Sequence, residues 1–319
     1  MNLKKLVSTS VCAVAAAMLT TATITAPNAL AQSSASGLSS NPELLRGLSS
    51  ALSDAVHTNA GGQSTSSKQT VYVPGQGNRS YIVEVPQGYT AGISYPVVFG
   101  FSGAWHSAEQ ARGYMKMAAV AGNDAIIVYP QGRGANGQGT WGGASYAETT
   151  RNQDVDFVRA IVNQLNATYT IDHSRIYATG LSNGGGMALA LACQAPDVFA
   201  AVASVAGAFY NAAVDGCARG TVDTLIIHGT SDDIMHYEGG VGTGGPYRSV
   251  ESVWSEYGRR NGCDTRYVPS QQGRSEVKTL NGCAAGGDTI LYKVHGGTHT
   301  WFPSDPNATS TVWNFLRAR

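Results

Sequence analysis

The strongest constraint on this chain is a glycine-rich turn with one serine at its tip, set between a strand-like and a helix-like segment. The turn, Gly180-Leu181-Ser182-Asn183-Gly184, has the form G-x-S-x-G; the apolar stretch 175–179 precedes it and a run rich in Ala and Leu follows it. Such a strand–turn–helix unit bends the backbone sharply, so that the serine hydroxyl stands clear of the sheet and the glycines avoid collisions. The setting, more than the string itself, predicts that Ser182 is a nucleophile.

Apolar runs alternate with helical patterns on both sides of this turn. Strand-like runs occupy residues 81–85, 96–101, 125–129, 175–179, 201–205, 224–227 and 289–294, and helical spacing marks 155–165 and 310–316. Several runs are apolar throughout, which is typical of strands covered on both faces. The alternation predicts an α/β fold in which one domain holds a mostly parallel sheet flanked by helices.

The N-terminus has the pattern of a secretion signal. A basic start is followed by an apolar stretch, Leu6–Leu19, and Ala29-Leu30-Ala31 has the small-x-small form of a cleavage site. We therefore expect removal of residues 1–31 and secretion, extracellular or periplasmic, with a membrane anchor as the alternative. Residues 32–68 are interpreted as a Ser/Gly-rich extension with a short helix over 41–57, which packs on the main domain or is a removable pro-segment. Residues 69–319 form the predicted catalytic domain.

Four cysteines remain beyond the signal segment, and Cys12 leaves with it. An exported chain with four cysteines is expected to form two disulfides, for which three pairings exist. Proximity in sequence favours Cys193 with Cys217 and Cys263 with Cys283. The absence of a C-x-x-C pair argues against a zinc site or a thioredoxin-type redox site.

Charge gives no sign of a polyanionic partner. The chain has 21 Lys and Arg and 21 Asp and Glu, so its formal net charge is zero. No basic stripe is visible, which argues against nucleic acid as a partner. Beyond residue 31 no segment is a transmembrane candidate, so we expect no membrane partner.

A serine nucleophile needs a general base and an acid that orients the base. Where the serine stands on a sharp turn from a strand into a helix in an α/β sheet, the order along the chain is serine, acid, histidine. The strand-like run 224–227 enters a turn that carries Asp232, the predicted acid, with Asp233 as the second choice; the alternative is that both are turn formers. The last strand leads into a glycine-flexed loop that carries His299, the predicted base.

Two further histidines compete for the role of base. His295 lies at the end of the last strand, and we interpret it as a core or loop histidine. His228 precedes the predicted acid and violates the expected order, so we expect it to hydrogen-bond within its own turn.

Hydrolysis at a serine also requires two backbone N–H groups that bind the developing oxyanion. We predict Asn183, directly after the nucleophile, for one of them and the Gly103–Ala104 region, after Phe101, for the other. The alternative for that region is a tight loop whose glycine serves geometry only. Four aromatic residues near the predicted loops are candidates for substrate contact, with simple packing as the alternative for each: Trp105, Trp141, Tyr237 and Trp301.

Six short motifs follow one another along the chain in the order that a known family of proteins has. They are Tyr129-Pro130-Gln131-Gly132, Asp154-Val155-Asp156-Phe157-Val158, the stretch 177–185 around Ser182, His228-Gly229-Thr230-Ser231-Asp232, Asn261-Gly262-Cys263 and Gly296-Gly297-Thr298-His299-Thr300-Trp301. Together they resemble the secreted feruloyl esterase and polyhydroxybutyrate depolymerase branch of the α/β-hydrolases, from about Tyr81 to the C-terminus. The resemblance implies the α/β-hydrolase fold, a Ser182, Asp232 and His299 triad, and a bridge between Cys263 and Cys283. One departure is Ser102-Gly103, where the family usually has His-Gly.

The resemblance implies a secreted serine carboxylic-ester hydrolase that needs no metal or organic cofactor. Among its activities we favour a feruloyl (hydroxycinnamoyl) esterase, whose partner is an ester on plant cell-wall polysaccharide. A polyhydroxybutyrate or other polyester depolymerase and an acetyl xylan esterase are the alternatives, since these enzymes share the motifs. An alternative from another class is a secreted carbohydrate-binding protein on an inactive hydrolase fold, against which the intact serine, acid, histidine order argues.

Overall fold

The computed structural model of the chain describes residues 65–284 and 287–319. The predicted signal segment 1–31 and the predicted helix over 41–57 lie outside the described residues. The first strand begins at Thr65, ahead of residue 69, where the sequence places the start of the catalytic domain.

The described residues form one 10-stranded sheet and a separate two-stranded hairpin. The strands are β1 Thr65–Val73, β2 Gly77–Val85, β3 Tyr95–Phe101, β4 Ile126–Pro130, β5 Ile171–Leu181, β6 Ala201–Val205, β7 Asp223–Gly229, β8 Gly240–Gly242, β9 Gly245–Tyr247, β10 Ser270–Gln272, β11 Ser275–Leu280 and β12 Thr289–Val294. The order in the large sheet is β1-β2-β4-β3-β5-β6-β7-β12-β11-β10. Its central strands, from β4 to β12 in that order, are parallel, and antiparallel strands close both edges. This architecture confirms the predicted mostly parallel α/β fold.

Helices connect and cover the parallel strands. They are α1 Ala108–Met115, α2 Met117–Ala121, α3 Arg151–Thr168, α4 Asn183–Gln194, α5 Asn211–Val214, α6 Val250–Arg260 and α7 Ala308–Leu316. Both α1 and α3 begin with a capping box, formed by Ser107 with Gln110 and by Thr150 with Gln153, which satisfies backbone donors at the helix start. Among the described helices, none combines the length and the apolar character that a membrane crossing needs.

The core lies on both faces of the sheet. Strand β3 is buried along its whole length, with Val97, Phe99 and Phe101 in one apolar layer and Val98 in the other. This alternation explains the continuous apolar run in the sequence, because successive side chains of a strand point to opposite faces. Helix α4 is buried on all sides from Met187 to Cys193, where it packs on β5 and β6 and between α3 and α5. The helix that follows Ser182 is therefore held in the centre of the domain.

Two disulfides are present, and they join the pairs that proximity in sequence favours. Cys193, in α4, is bonded to Cys217, which follows α5. Cys263 is bonded to Cys283, so the segment after α6 is tied to the segment after β11. Leu280, near Cys283, pairs with Thr289 at the start of β12, which places this bridge at the edge of the sheet where the parallel strands begin.

Replacing both Cys263 and Cys283 by serine is expected to lower the free energy of unfolding by about 3 kcal/mol, because the open chain gains loop entropy in the unfolded state. Urea unfolding of the double variant and of the wild type, followed by tryptophan fluorescence, measures this difference. The ester hydrolysis that the family resemblance implies should be unchanged below the unfolding transition, since the bridge lies where the parallel strands begin, away from their carboxyl ends. A double variant that is as stable as the oxidised wild type would contradict the expectation.

Candidate active site

Ser182 occupies a sharp turn between β5, which ends at Leu181, and α4, which begins at Asn183. Its backbone has φ 57° and ψ −121°, a conformation that residues other than glycine rarely adopt. Leu181 and Asn183 are buried, whereas Ser182 is partly exposed. The chain therefore presents the serine at the surface end of β5, as the sequence motif predicts.

Hydrogen bonds on both sides hold Ser182 in this strained conformation. Its N–H donates to the carbonyl oxygen of Val205 at 3.0 Å, and its own carbonyl oxygen accepts from Gly186 and Ala208, both at 2.9 Å. A strained backbone persists only where its surroundings fix it in this way, and such positions cluster at functional sites.

The glycines around Ser182 allow close approach of backbone to backbone. A side chain at Gly184 would overlap the carbonyl oxygens of Phe101 and Ser102, and one at Gly180 would overlap the carbonyl of Gly184. Because neither position has room for a Cβ atom, α4 can lie directly against the loop that follows β3. The glycines of the motif are thus required by packing as well as by the turn itself.

Asp232 and His299 meet at the same edge of the sheet. Asp232 follows β7 and His299 follows β12, and these two strands are parallel neighbours. His299 Nδ1 lies 2.8 Å from Asp232 Oδ2, and the Asp232 side chain is fully buried, whereas that of His299 retains some exposure. This geometry orients the imidazole so that Nε2 is free to act as a base.

The Asp232 carboxylate is held in its charged form. Its Oδ1 accepts from the N–H groups of Ile234 at 3.0 Å and Met235 at 2.8 Å. Burial alone would raise the pKa of Asp232, but hydrogen bonds from His228, His299 and the Met235 backbone hold that pKa well below its usual range. Asp232 is therefore ionised and can stabilise a positive charge on the imidazole of His299.

His228 and His295 lie in different settings. His228 Nε2 is 2.8 Å from the Met235 carbonyl oxygen and 3.2 Å from Asp232 Oδ2, so this nitrogen carries the proton and donates to both acceptors. The bond to Met235 is the bond within the turn that the sequence predicts. His295 is half exposed and faces Glu276 at 3.8 Å. The described residues contain no cluster of His, Cys, Asp and Glu that could hold a metal ion.

The loop after β3 lies over Ser182. A Cβ atom at Gly103 would be 3.7 Å from Ser182 Cβ and 3.2 Å from His106 Nδ1. Burial lowers the pKa of His106, and the charge of nearby His299 lowers it further. The serine, the two histidines and this loop therefore share one edge of the sheet. Sequence reasoning set His106 aside, since its setting does not resemble that of His299, although its position three residues after Gly103 was a usable signal.

The backbone donors of the predicted oxyanion site differ in availability. The N–H of Asn183 is the first of α4 and so has no partner within the helix. The N–H of Gly103 donates to the hydroxyl of Tyr114 at 3.1 Å, whereas that of Ala104 makes no hydrogen bond to any other described residue. Within the predicted Gly103–Ala104 region, Ala104 is therefore the candidate donor, since the N–H of Gly103 already has a partner.

Of the four aromatic candidates for substrate contact, only Trp105 is open to solvent. It is 54% exposed, and its ring lies 4.9 Å from that of Tyr146. The other three are buried and use their polar atoms in hydrogen bonds: Trp141 Nε1 with the Ser102 carbonyl, Tyr237 Oη with Glu251, and Trp301 Nε1 with Thr309. For these three the packing alternative describes the structure, because the fold covers their rings.

Comparison with known proteins places this geometry among the hydrolases. Residues 112–218 match the model of the prolyl oligopeptidase family. A probable feruloyl esterase C from Aspergillus flavus is 30% identical over 255 residues, which cover 76% of this chain and 84% of that protein.

Two solved structures of esterases share the fold of this chain. An acetyl xylan esterase from Aspergillus awamori is 16% identical and aligns with a TM-score of 0.54, over 76% of this chain and 98% of its own. A ferulic acid esterase from Anaeromyces mucronatus, solved in complex with ferulic acid, is 17% identical. It aligns with a TM-score of 0.50, over 83% of this chain and 94% of its own. At these identities the structural matches show the shared fold alone.

Replacing Asp232 by Asn is expected to reduce kcat about 10⁴-fold, because an amide neither fixes the tautomer of His299 nor stabilises its charged form. Steady-state hydrolysis of a p-nitrophenyl ester measures the change. Asp233→Asn is the matched control, since Asp233 is exposed and makes no hydrogen bond to either histidine. The assignment is wrong if Asp232→Asn keeps a tenth or more of wild-type kcat, or if the two variants behave alike.

Proposed function

Since this chain belongs to the feruloyl esterase family of α/β-hydrolases, we propose that it hydrolyses hydroxycinnamoyl esters of plant cell-wall polysaccharide through Ser182, Asp232 and His299. The observation that carries the proposal is the 2.8 Å contact between His299 and Asp232 at the edge of the sheet where the strained Ser182 stands. The relative from Aspergillus flavus is named a probable feruloyl esterase, which supports a hydroxycinnamoyl group as the acyl part of the substrate.

In the first half of the reaction, Ser182 Oγ attacks the ester carbonyl carbon while His299 Nε2 takes the hydroxyl proton. The N–H groups of Asn183 and Ala104 bind the oxygen on which negative charge develops. The tetrahedral intermediate then collapses, the bond to the alcohol breaks, and His299 gives its proton to the leaving oxygen. Asp232 remains ionised throughout and stabilises the imidazolium.

In the second half, a water molecule replaces the alcohol. His299 takes a proton from this water, whose oxygen attacks the acyl carbon on Ser182. Collapse of the second tetrahedral intermediate breaks the bond to Ser182 Oγ, which recovers a proton from His299, and the carboxylic acid leaves. The residues assigned here suffice for both halves.

Secretion is part of the proposal. Two disulfides in a chain of this size favour an oxidising compartment, where such bonds form and persist. The pattern of residues 1–31 fits the same interpretation. N-terminal sequencing of the protein from the culture medium would test it, with Gln32 as the expected first residue.

Replacing Ser182 by Ala is expected to abolish hydrolysis of every ester substrate, because the acyl-enzyme cannot form. The substrate panel is methyl ferulate, acetylated xylan, a hydroxybutyrate oligomer and a short p-nitrophenyl ester. We expect the highest kcat/KM on methyl ferulate among the first three. Equal rates for wild type and Ser182→Ala would refute the mechanism, and a preference for acetylated xylan or the oligomer would refute the substrate.

Replacing Trp105 by Ala is expected to raise KM for methyl ferulate about tenfold, because the exposed indole adjoins the candidate donor Ala104 and can stack on a phenolic ring. KM for p-nitrophenyl acetate, measured on the same samples, serves as the internal comparison for the enzyme's integrity. Tyr72→Ala removes another exposed aromatic ring, on the edge strand β1, and should leave both constants unchanged. Equal effects of the two variants on methyl ferulate would contradict the role of Trp105.

A further inference from the structure

The two backbone donors assigned to the oxyanion belong to separate segments of the chain. Ala104 lies in the loop after β3, and Asn183 begins α4. Both N–H groups must approach the same oxygen to about 2.7–3.1 Å, and that oxygen gains its negative charge as the transition state forms. Their relative position therefore bears directly on kcat.

One end of Trp141 is attached to the loop after β3. Its indole Nε1 donates to the carbonyl oxygen of Ser102 at 2.9 Å, and both residues are fully buried. The ring also packs edge-on against Phe101, with centroids 5.0 Å apart. Ser102 in turn donates from its hydroxyl to the His106 carbonyl at 3.2 Å, which closes the loop on itself. Trp141 thus fixes the residues that lead into Ala104.

The backbone of Trp141 is attached to the start of α4. Its N–H donates to Asn183 Oδ1 at 2.7 Å, and Asn183 Nδ2 donates back to the Trp141 carbonyl at 3.1 Å. This reciprocal pair is buried and fixes the Asn183 side chain. The Asn183 backbone N–H donates to no other described residue and so is available to the reacting oxygen. A single residue therefore hydrogen-bonds to both segments that supply the donors.

A buried ion pair anchors this arrangement to α3. The N–H of Gly142, which follows Trp141, donates to Asp154 Oδ2 at 2.7 Å, and Thr149 donates to the same oxygen at 2.8 Å. Arg79 Nη1 lies 2.7 Å from Asp154 Oδ1, and both side chains are buried. Such a network is rigid where every member is hydrogen-bonded.

We propose that Trp141 and the side chain of Asn183 form a positioning brace, which sets the distance between the Ala104 and Asn183 N–H groups for the oxyanion. The inference rests on the proposed serine mechanism and deepens it. Trp141 touches no reacting atom; it acts through the two segments that it joins. The brace assigns a role to an indole that the sequence marks only as a candidate for substrate contact.

Trp141→Phe is the first test, because phenylalanine keeps much of the apolar ring and loses the Nε1 donor. We expect kcat for a p-nitrophenyl ester to fall at least tenfold while KM changes less than threefold, since a displaced donor weakens transition-state binding above all. Rates are normalised to the fraction of Ser182 that reacts with a fluorophosphonate, so that unfolded protein is not counted. A normalised kcat within threefold of wild type would overturn the proposal.

Trp254→Phe is the matched control. Trp254 is also buried and donates from Nε1 to a carbonyl oxygen, that of Thr289, at 3.1 Å. Thr289 starts β12 and so lies at the opposite edge of the sheet from His299. Both variants should lower the melting temperature, but only Trp141→Phe should lower normalised kcat. Equal losses of kcat in the two variants would assign Trp141 a general structural role and overturn the brace.

The inhibition constants of two inhibitors provide a test that does not depend on the stability of the variant. Phenylboronic acid forms a tetrahedral adduct on a serine and places an oxygen in the oxyanion site, whereas ferulate binds as a ground-state product. In Trp141→Phe we expect the inhibition constant for phenylboronic acid to rise by the same factor by which kcat/KM falls. The inhibition constant for ferulate should be unchanged. Proportional weakening of both inhibitors would contradict the brace.

Asn183→Ala removes the other half of the brace and keeps the backbone N–H. Because the two side chains act as one unit, the double variant Trp141→Phe/Asn183→Ala should lose little more kcat than the worse single variant. Multiplicative losses would contradict a shared brace. Inactivity of Ser182→Ala alongside a neutral Trp141→Phe would reject the brace while the proposed function stands.

Discussion

The contact between the start of α4 and the loop after β3 is the constraint on which the site depends. Glycine at position 184 lets the helix lie against the carbonyl oxygens of Phe101 and Ser102, where any side chain would collide. The loop after β3 also approaches Ser182, since a Cβ atom at Gly103 would lie 3.7 Å from Ser182 Cβ. The proposed catalytic turn and the two proposed backbone donors thus depend on one close approach of two segments.

The topology of the sheet places the other proposed catalytic groups. Because β5, β7 and β12 are parallel, their carboxyl ends reach one edge, and Ser182, Asp232 and His299 each follow one of those ends. Burial of a carboxylate is unfavourable unless donors surround it. Asp232 meets that condition through two backbone N–H groups and two histidines, so its charge persists beside His299. The extra donor, His228, lies near the end of β7, four residues before the acid.

The sequence predicted what local patterns encode. Continuous apolar runs marked the central strands, and motifs at the strand ends marked the serine, acid and histidine. The antiparallel edge strand β1 escaped notice because most of its residues are polar or exposed. The role of Trp141 could not be found either, because its partners Ser102 and Asn183 are 39 and 42 residues away and such bonds leave no periodic trace. The occupied N–H of Gly103 likewise depends on a hydroxyl, that of Tyr114, whose position only the fold reveals.

A crystal structure of the protein after reaction with a fluorophosphonate tests the central claim most directly. The account predicts a bond between phosphorus and Ser182 Oγ, with the phosphoryl oxygen about 3 Å from the N–H groups of both Asn183 and Ala104. The imidazole of His299 should remain on Asp232 with Nε2 directed at Oγ. Modification of another residue, or a phosphoryl oxygen that faces solvent or binds the N–H of Gly103, would contradict the account.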